Sequence, residues 1–147
     1  MDWKAEAIEK LRGYETNRKA LDSIPLELER LGATCTGIRA ARADSTPVSG
    51  GSSSSREDAM ISNIVRRDDL KRKLKEAGLW VKIVDGGLSI LDEEDRLTLE
   101  LCFIHKVKGS MDDLCEQLCI EKSAAYRRRD LALRRFTLAL YGALETA

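Results

Sequence analysis

Aromatic residues and prolines are scarce in this 147-residue chain. Aromatic side chains make up 5% of the sequence, and only two prolines occur. A core with few rings has to be built from Leu, Ile, Val and Ala, as is common in helical proteins. Few prolines also leave room for long helices. The composition therefore predicts an all-α protein with a modest core.

Long apolar runs are missing as well. No stretch approaches the roughly 20 apolar residues that cross a bilayer. The first residues, MDWKAEAIEKLR, carry charges throughout, unlike the apolar segment of a secretion signal. We therefore expect no membrane contact and a location in the cytoplasm. There the four cysteines, Cys35, Cys102, Cys115 and Cys119, are expected to be reduced thiols.

The chain has no excess of either charge, since 25 basic residues balance 25 acidic ones. This balance excludes a protein that is basic over its whole surface, but it says nothing of local fields. Between Glu121 and Arg135, six basic residues stand against two acidic ones. That segment is locally cationic and is the first candidate for contact with an anionic partner.

The N-terminal part, residues 1–87, has the spacing of helices. Apolar residues predict one amphipathic helix over 2–21 and a second, long helix over 57–85. Because neither can bury its apolar stripe alone, we expect an antiparallel helical hairpin. Asp22-Ser23-Ile24-Pro25 predicts a break before a short helix over 24–31. The Ser- and Gly-rich segment 41–58 predicts a flexible connection.

A strand interpretation competes with the helical one near the middle of the chain. LWVKIV and LSIL flank Asp85-Gly86-Gly87 as in a β-hairpin, and RLTLELCF alternates with the period of a strand. The helix is favoured because Leu97, Leu101 and Ile104 also share a helical face. In addition, LDEED supplies Asp92 as an N-cap with acids in the first turn.

The C-terminal part, residues 88–147, contains two helical segments separated by a short turn. Ser110, with Asp113 three residues later, resembles a capping box at the start of a two-turn helix. Cys119-Ile120-Glu121 is the predicted turn, and Cys119 occupies a position that requires a positive φ. The next helix is predicted from Lys122 to about Tyr141. Together they predict a helix-turn-helix unit that buries Ala125, Ala132, Leu133, Phe136 and Leu140.

The stretch 91–136 resembles region 4 of bacterial sigma factors. In that family a leucine, an acidic pair and an arginine precede a helix-turn-helix that ends in an Ala-Leu-basic-basic-apolar run. The Tyr126-Arg127 pair and the terminal LYGAL are more specifically similar to phage and prophage transcription regulators of the ArpU type. The matching positions are Leu91, Glu94, Arg96, Leu114, Gln117, Leu118, Ile120, Ala132, Leu133, Arg134 and Phe136.

The resemblance implies a DNA-binding transcriptional regulator of phage or prophage origin, associated with the nucleoid of a bacterial host. Ser110 would then lie at a phosphate of double-stranded DNA, and the start of the second helix would face the major groove. Consecutive helical residues point about 100° apart, so three adjacent arginines cannot all read bases, and one or two should hold phosphates. The predicted DNA-binding residues are Ser110, Lys122, Ser123, Tyr126, Arg127, Arg128, Arg129 and Arg134.

Arg128 departs from the family pattern, because the family usually has an apolar core residue at this position. Two alternatives follow: the recognition helix is rotated relative to the family arrangement, or Arg128 forms an ion pair with an acid such as Asp130 or Glu116.

No catalytic, metal or cofactor site is predicted. The single histidine, His105, has no nucleophile and base arranged around it, so an enzyme is not expected. Cys102, His105, Cys115 and Cys119 are residue types that bind zinc, but their spacing does not match a zinc finger. Packing is the simpler explanation for the cysteines.

Two other functions remain open from the sequence. The unit could bind bacterial RNA polymerase as a sigma-like adaptor with little DNA binding, or it could be a small subunit of a phage DNA-packaging machine. A homodimer through the N-terminal helices is a further hypothesis, because a thin hairpin leaves apolar surface uncovered.

Overall fold

The computed structural model describes residues 2–44 and 52–144, and the regular elements in these ranges are helices. The prediction of an all-α protein is confirmed for this part of the chain. Among these residues, no helix combines the length and the apolar character needed to span a membrane. The elements are α1 (Trp3–Arg12), α2 (Tyr14–Asp44), α3 (Ser52–Ile90), α4 (Glu93–Leu99), a π-helical turn (Glu100–Ile104), α5 (Ser110–Leu118) and α6 (Lys122–Tyr141).

The first helices differ from their predicted bounds. The Asp2 carboxylate caps α1 by accepting from the backbone N–H of Lys4 at 2.9 Å. The helix ends at Gly13, well before residue 21, and α2 then runs through Pro25 without a break. The predicted interruption was wrong: the Ser23 hydroxyl does not cap a new helix but donates to the Lys19 carbonyl at 3.1 Å. Pro25 removes only one intrahelical donor from a 31-residue helix.

Helix α3 is longer than predicted. It includes Asp85-Gly86-Gly87, so the β-hairpin alternative is wrong at this position. It also includes residues 52–58, and α2 includes residues 41–44, which were predicted to form part of a flexible connection. The rest of that predicted connection, residues 45–51, lies outside the described residues.

The chain divides into two compact units whose limits differ from the predicted boundary at residues 87 and 88. The terminal unit contains Met1–Arg18 and Leu79–Ala147, and the central unit contains Lys19–Gly78. The observed division differs from the predicted one because residues from both ends of the chain share one core. That core consists of Ala7, Leu11, Val84, Leu91, Leu99, Ala132, Leu133 and Phe136.

Polar contacts fix the N-terminal residues of the terminal unit against the end of α3. The Trp80 Nε1–H donates to the Lys10 carbonyl at 2.9 Å. The Tyr14 hydroxyl donates to the Asp85 carboxylate at 2.7 Å. These bonds hold α1 and the first turn of α2 beside the last turns of α3. Helix α1 also packs against α6.

In the central unit, segments of α2 and α3 run in opposite directions. Leu21 lies beside Gly78, whereas Leu31 accepts a hydrogen bond from the Asn63 amide at 2.9 Å. Among the described residues of this unit, the buried apolar ones are Leu31, Cys35 and Ala77, together with the polar Asn63. The central unit thus has a small and partly polar interface.

Candidate nucleic-acid interface

Helices α5 and α6 are joined by the three-residue turn that the sequence predicts. Cys119 has φ 54°, which confirms the expected left-handed conformation at this position. The N–H of Ile120 donates to the Cys115 carbonyl at 3.0 Å and so closes the end of α5. The Glu121 carbonyl accepts from the Ala125 N–H at 2.9 Å and starts α6. The relative placement of the two helices is thus fixed by local backbone bonds.

A small apolar cluster lies beneath this turn. Cys102, Leu114 and Ala125 are its buried members, and residues from the π-helical turn and α5 pack around them. Burial raises the pKa of the Cys102 thiol, although the nearby Arg129 and Lys106 act in the opposite direction. A protonated, buried thiol behaves as a packing group. Ala125 is the buried α6 residue of this cluster, and Ala132, Leu133 and Phe136 of α6 are buried in the core described above. Together these residues determine which face of α6 remains exposed.

Five of the predicted DNA-binding residues lie on the exposed side of α6: Lys122, Ser123, Tyr126, Arg127 and Arg134. At about 100° per residue, Ser123, Arg127 and Arg134 share one face of the helix. Within the described ranges, neither Arg127 nor Arg134 is engaged by a carboxylate. Both guanidinium groups therefore present their donors to the solvent.

Arg128 points the other way. Its Nη2 lies 2.7 Å from the Glu94 carboxylate, 3.6 Å from Asp95 and 3.9 Å from Asp92. Only 24% of its side chain is exposed. The assignment of Arg128 to the DNA-binding set is therefore corrected. An ion pair was one of the two predicted alternatives, but its partners are residues near the start of α4 and not Asp130 or Glu116.

The acids around Arg128 tie α4 to α6. Asp92 is the N-cap of α4, as predicted, and accepts from the Asp95 N–H at 2.8 Å. The Asp95 side chain is buried, and its Oδ2 accepts from Arg135 at 2.9 Å. That hydrogen bond raises the pKa of Arg135. The contact holds the exposed face of α6 in a fixed orientation.

Arg129 has surroundings intermediate between those of the solvent-facing Arg127 and the ion-paired Arg128. Its guanidinium lies 5.1 Å from the centre of the Tyr126 ring, and its Nη2 lies 3.3 Å from Asp130. The three consecutive arginines thus have three different surroundings. Arg127 faces solvent, Arg128 binds acids and Arg129 lies against an aromatic ring.

Ser110 is not placed as predicted. It is buried, and its hydroxyl accepts from the Val107 backbone N–H at 2.9 Å. Gly109, with φ 88°, is the residue that precedes α5. The hydroxyl therefore closes the turn before α5 and does not cap the helix as predicted. The expectation that the N-terminus of α5 lies at a phosphate depends on backbone N–H groups and stays a prediction.

A cationic pocket of about 330 Å³ lies beside Ser110, between the start of α5 and the start of α6. Lys106, Lys108, Lys122 and Arg129 line it, and the Asp112 carboxylate lies 4.0 Å from Lys122. Neither Lys106 nor Lys108 was among the predicted DNA-binding residues. The segment KVKGS, which places two lysines directly before a helix N-terminus, was the signal that could have revealed them.

The side chains considered as zinc ligands, Cys102, His105, Cys115 and Cys119, do not form a metal site. In the part of the chain that the structure describes, no three His, Cys, Asp or Glu side chains are grouped so that they could hold a metal ion. His105 instead places its Nε2 3.2 Å from Glu15 and 3.7 Å from Glu100. The histidine links the start of α2 to the π-helical turn.

Comparisons of this chain with protein families, with curated proteins and with solved structures gave no match.

Proposed function

We propose that this protein is a DNA-binding transcriptional regulator that places the start of α6 in the major groove of double-stranded DNA. The observation that carries the proposal is the exposed face shared by Ser123, Arg127 and Arg134, on a helix that follows a three-residue turn. An arginine can donate to both O6 and N7 of guanine, which discriminates between bases by about 1–3 kcal/mol. Arg127, near the helix start, is the proposed base reader.

Other residues position the helix on the duplex. Arg134 lies about two turns beyond Arg127 and is proposed to hold a phosphate. The pocket formed by Lys106, Lys108 and Lys122 is proposed to hold a second phosphate. The zero net charge of the chain does not oppose this contact, because the cations are concentrated at one site.

We further propose that the C-terminal helices form a sigma-region-4-like module, and that the protein is encoded by a phage or prophage and acts at the nucleoid of a bacterial host. The spacing of α5, the turn and α6 supports it, as do the buried Leu114 and Ala132 at matching positions. In this proposal Arg128 orients α6 through the α4 acids and makes no contact with DNA.

The test is recovery and sequencing of genomic fragments bound by purified protein. We expect the wild type to enrich a discrete promoter-proximal site and Arg127→Ala/Arg134→Ala to lose it. Lys71→Ala/Lys75→Ala removes the same charge from exposed positions of α3 and serves as the matched control. Equal enrichment by the wild type and the α6 variant would contradict the proposal, as would no enrichment by the wild type.

Salt titration separates the two kinds of contact. Each phosphate contact contributes roughly −0.9 to the slope of log K against log salt concentration. We expect Lys106→Ala/Lys108→Ala to weaken binding to all sequences alike and to make the slope shallower. We expect Arg127→Ala mainly to relax the sequence preference.

An RNA polymerase-binding adaptor is the second candidate, and one observation favours it. Leu131 and Leu138 are 39% and 41% exposed on the α6 side that carries Arg127 and Arg134. Exposed leucines suit a protein partner better than a phosphate backbone. Co-purification of polymerase with the wild type but not with Leu131→Ser/Leu138→Ser, together with DNA binding that hardly responds to salt, would favour this function.

A further inference from the structure

The pocket between the start of α5 and the start of α6 combines cationic side chains with apolar ones. Its volume of about 330 Å³ lies within the range of roughly 300–1,000 Å³ that small-molecule sites occupy. The charged side chains that line it are Lys106, Lys108, Lys122, Arg129 and the single acid Asp112. Its apolar floor consists of the buried Cys102 and the half-buried Leu101 and Met111. A small ligand with both an anionic and an apolar part therefore fits this lining.

Most of the positive charge in the pocket is not compensated. In the described part of the chain, neither Lys106 nor Lys108 has a carboxylate partner. Lys122 lies 4.0 Å from Asp112, a long separation for an ion pair, and both side chains are largely exposed. Exposed ion pairs contribute little to stability, so Asp112 does not hold Lys122 firmly. A phosphate monoester, which carries a charge of about −1.5 to −2 at neutral pH, would meet several available cations here.

One wall of the pocket consists of Tyr126 and Arg129. The Arg129 guanidinium lies 5.1 Å from the centre of the Tyr126 ring. Its Nη2 also lies 3.3 Å from Asp130, an exposed acid that is not part of the pocket lining. Nucleobases stack on aromatic rings and on guanidinium planes, and such stacking accepts every base because each has a π-face. A base can therefore lie against this wall, above the apolar floor.

Duplex DNA can use only the cationic part of the pocket. Its bases are stacked inside the double helix, so the group that reaches a surface pocket is a backbone phosphate. Such a phosphate would leave the apolar floor and the Tyr126–Arg129 wall open to solvent. A free mononucleotide carries a phosphate and an unstacked base in one small molecule. The two kinds of lining therefore suit a free nucleotide better than the DNA backbone.

We propose that this pocket binds a nucleoside monophosphate, with its phosphate at Lys106, Lys108 and Lys122 and its base against Tyr126 and Arg129. Binding of the nucleotide requires no DNA. Its regulatory consequence rests on the proposed function, because a DNA phosphate is assigned to the same lysines. The bound nucleotide displaces that phosphate and so weakens DNA binding.

The first test is isothermal titration calorimetry of the full chain with AMP, inorganic phosphate and adenosine. We expect AMP to bind at least about tenfold more tightly than either of the other two. Lys106→Ala/Lys108→Ala and Tyr126→Ala should each raise the dissociation constant for AMP about tenfold. Tyr126→Phe keeps the ring, and Lys71→Ala/Lys75→Ala removes two charges from α3, so both should stay within about twofold of the wild type.

Three results of this titration would overturn the proposal. AMP that does not bind at about 1 mM would do so. Equal affinities for AMP and inorganic phosphate would reduce the pocket to a site for anions alone. AMP binding that Tyr126→Ala leaves unchanged would place the base elsewhere.

A competition experiment separates this inference from the proposed function. Fluorescence anisotropy of a labelled duplex is measured with and without saturating AMP at constant ionic strength. We expect AMP to lower the DNA affinity of the wild type about as much as Lys106→Ala/Lys108→Ala does, and to leave the DNA affinity of that variant unchanged. A wild type that binds AMP but no DNA would contradict the proposed function and leave the nucleotide site standing. DNA binding without AMP binding, or DNA affinity that bound AMP does not alter, would overturn the inference made here.

Discussion

The Asp95 carboxylate lies between two arginines of α6. Its Oδ2 accepts from Arg135 at 2.9 Å, and its Oδ1 lies 3.6 Å from Arg128. The two arginines are seven residues apart, so one acid contacts two residues about two turns apart on the same side of α6. This contact explains how a basic residue occupies a position where an apolar residue was expected: the acids near the start of α4 supply the charge that burial requires.

Replacing Asp95 with Ala should destabilise the terminal unit. The change removes a buried acceptor and leaves the Arg128 guanidinium without part of its compensation. We expect the free energy of unfolding to fall by about 2–4 kcal/mol, measured by urea denaturation. Glu93→Ala removes an exposed acid of the same helix turn and should cost less than about 1 kcal/mol. Equal losses in the two variants would show that the buried acid has no special role.

Two adjacent glycines of α3 should respond in opposite directions to the same substitution. A Cβ at Gly86 would meet no heavy atom within 4 Å, so Gly86→Ala should stabilise the helix by about 0.5–1 kcal/mol. A Cβ at Gly87 would lie 2.7 Å from the Phe136 ring and 2.8 Å from Leu140. We expect Gly87→Ala to cost about 1–3 kcal/mol. Thermal unfolding followed by circular dichroism measures both, and changes of the same sign would contradict the packing described here.

The sequence predicted the elements whose limits depend on local interactions. The turn at Cys119 and the start of α6 at Lys122 depend on backbone hydrogen bonds within five residues, and the cap at Asp92 depends on its carboxylate, which accepts from the Asp95 N–H. The end of α1 could not be predicted in this way. Gly13 lies against the Trp80 ring, and a Cβ at this position would approach the ring to 2.6 Å. That contact joins residues far apart in the sequence.

In the candidate site, too, features set by local contacts could be predicted and features set by contacts between distant residues could not. The exposure of Arg127 and Arg134 follows from the helical period once the buried face of α6 is known. The orientation of Arg128 does not, because its partner Glu94 is 34 residues away and belongs to another helix. Lys106 and Lys108 were not predicted because they lie outside α6, in the segment before α5.

The left-handed residue of the turn offers a test of backbone strain. Cys119 is the one non-glycine residue with positive φ among the described residues, and its side chain is exposed. Cys119→Gly removes the steric cost of this conformation, and we expect a gain of about 0.5–1 kcal/mol in unfolding free energy. Cys119→Val places a β-branched side chain at the same φ and should destabilise the protein. Urea denaturation of both variants measures the effect, and a destabilising glycine would contradict it.

Tyr14 links the first turn of α2 to the last turns of α3 through its bond to Asp85. Burial and this carboxylate raise the pKa of Tyr14 above its ordinary value of about 10. Asp85→Asn keeps the shape of the partner and removes its charge. In that variant we expect the pKa of Tyr14 to move back toward the ordinary value.

The raised pKa makes stability depend on pH in the alkaline range. Because the folded state holds the phenol proton more tightly than the unfolded chain does, the stabilisation from neutral Tyr14 is complete below pH of about 10 and is lost as the pH rises through the folded-state pKa. The stability of the wild type relative to Tyr14→Phe should therefore stay constant from neutral pH to that point and then fall. Absorbance titration at the tyrosinate band, taken as the difference between wild type and Tyr14→Phe, isolates this residue from Tyr126 and Tyr141. Ionisation of Tyr14 at or below the ordinary pKa would show that the Asp85 bond does not hold the proton in solution.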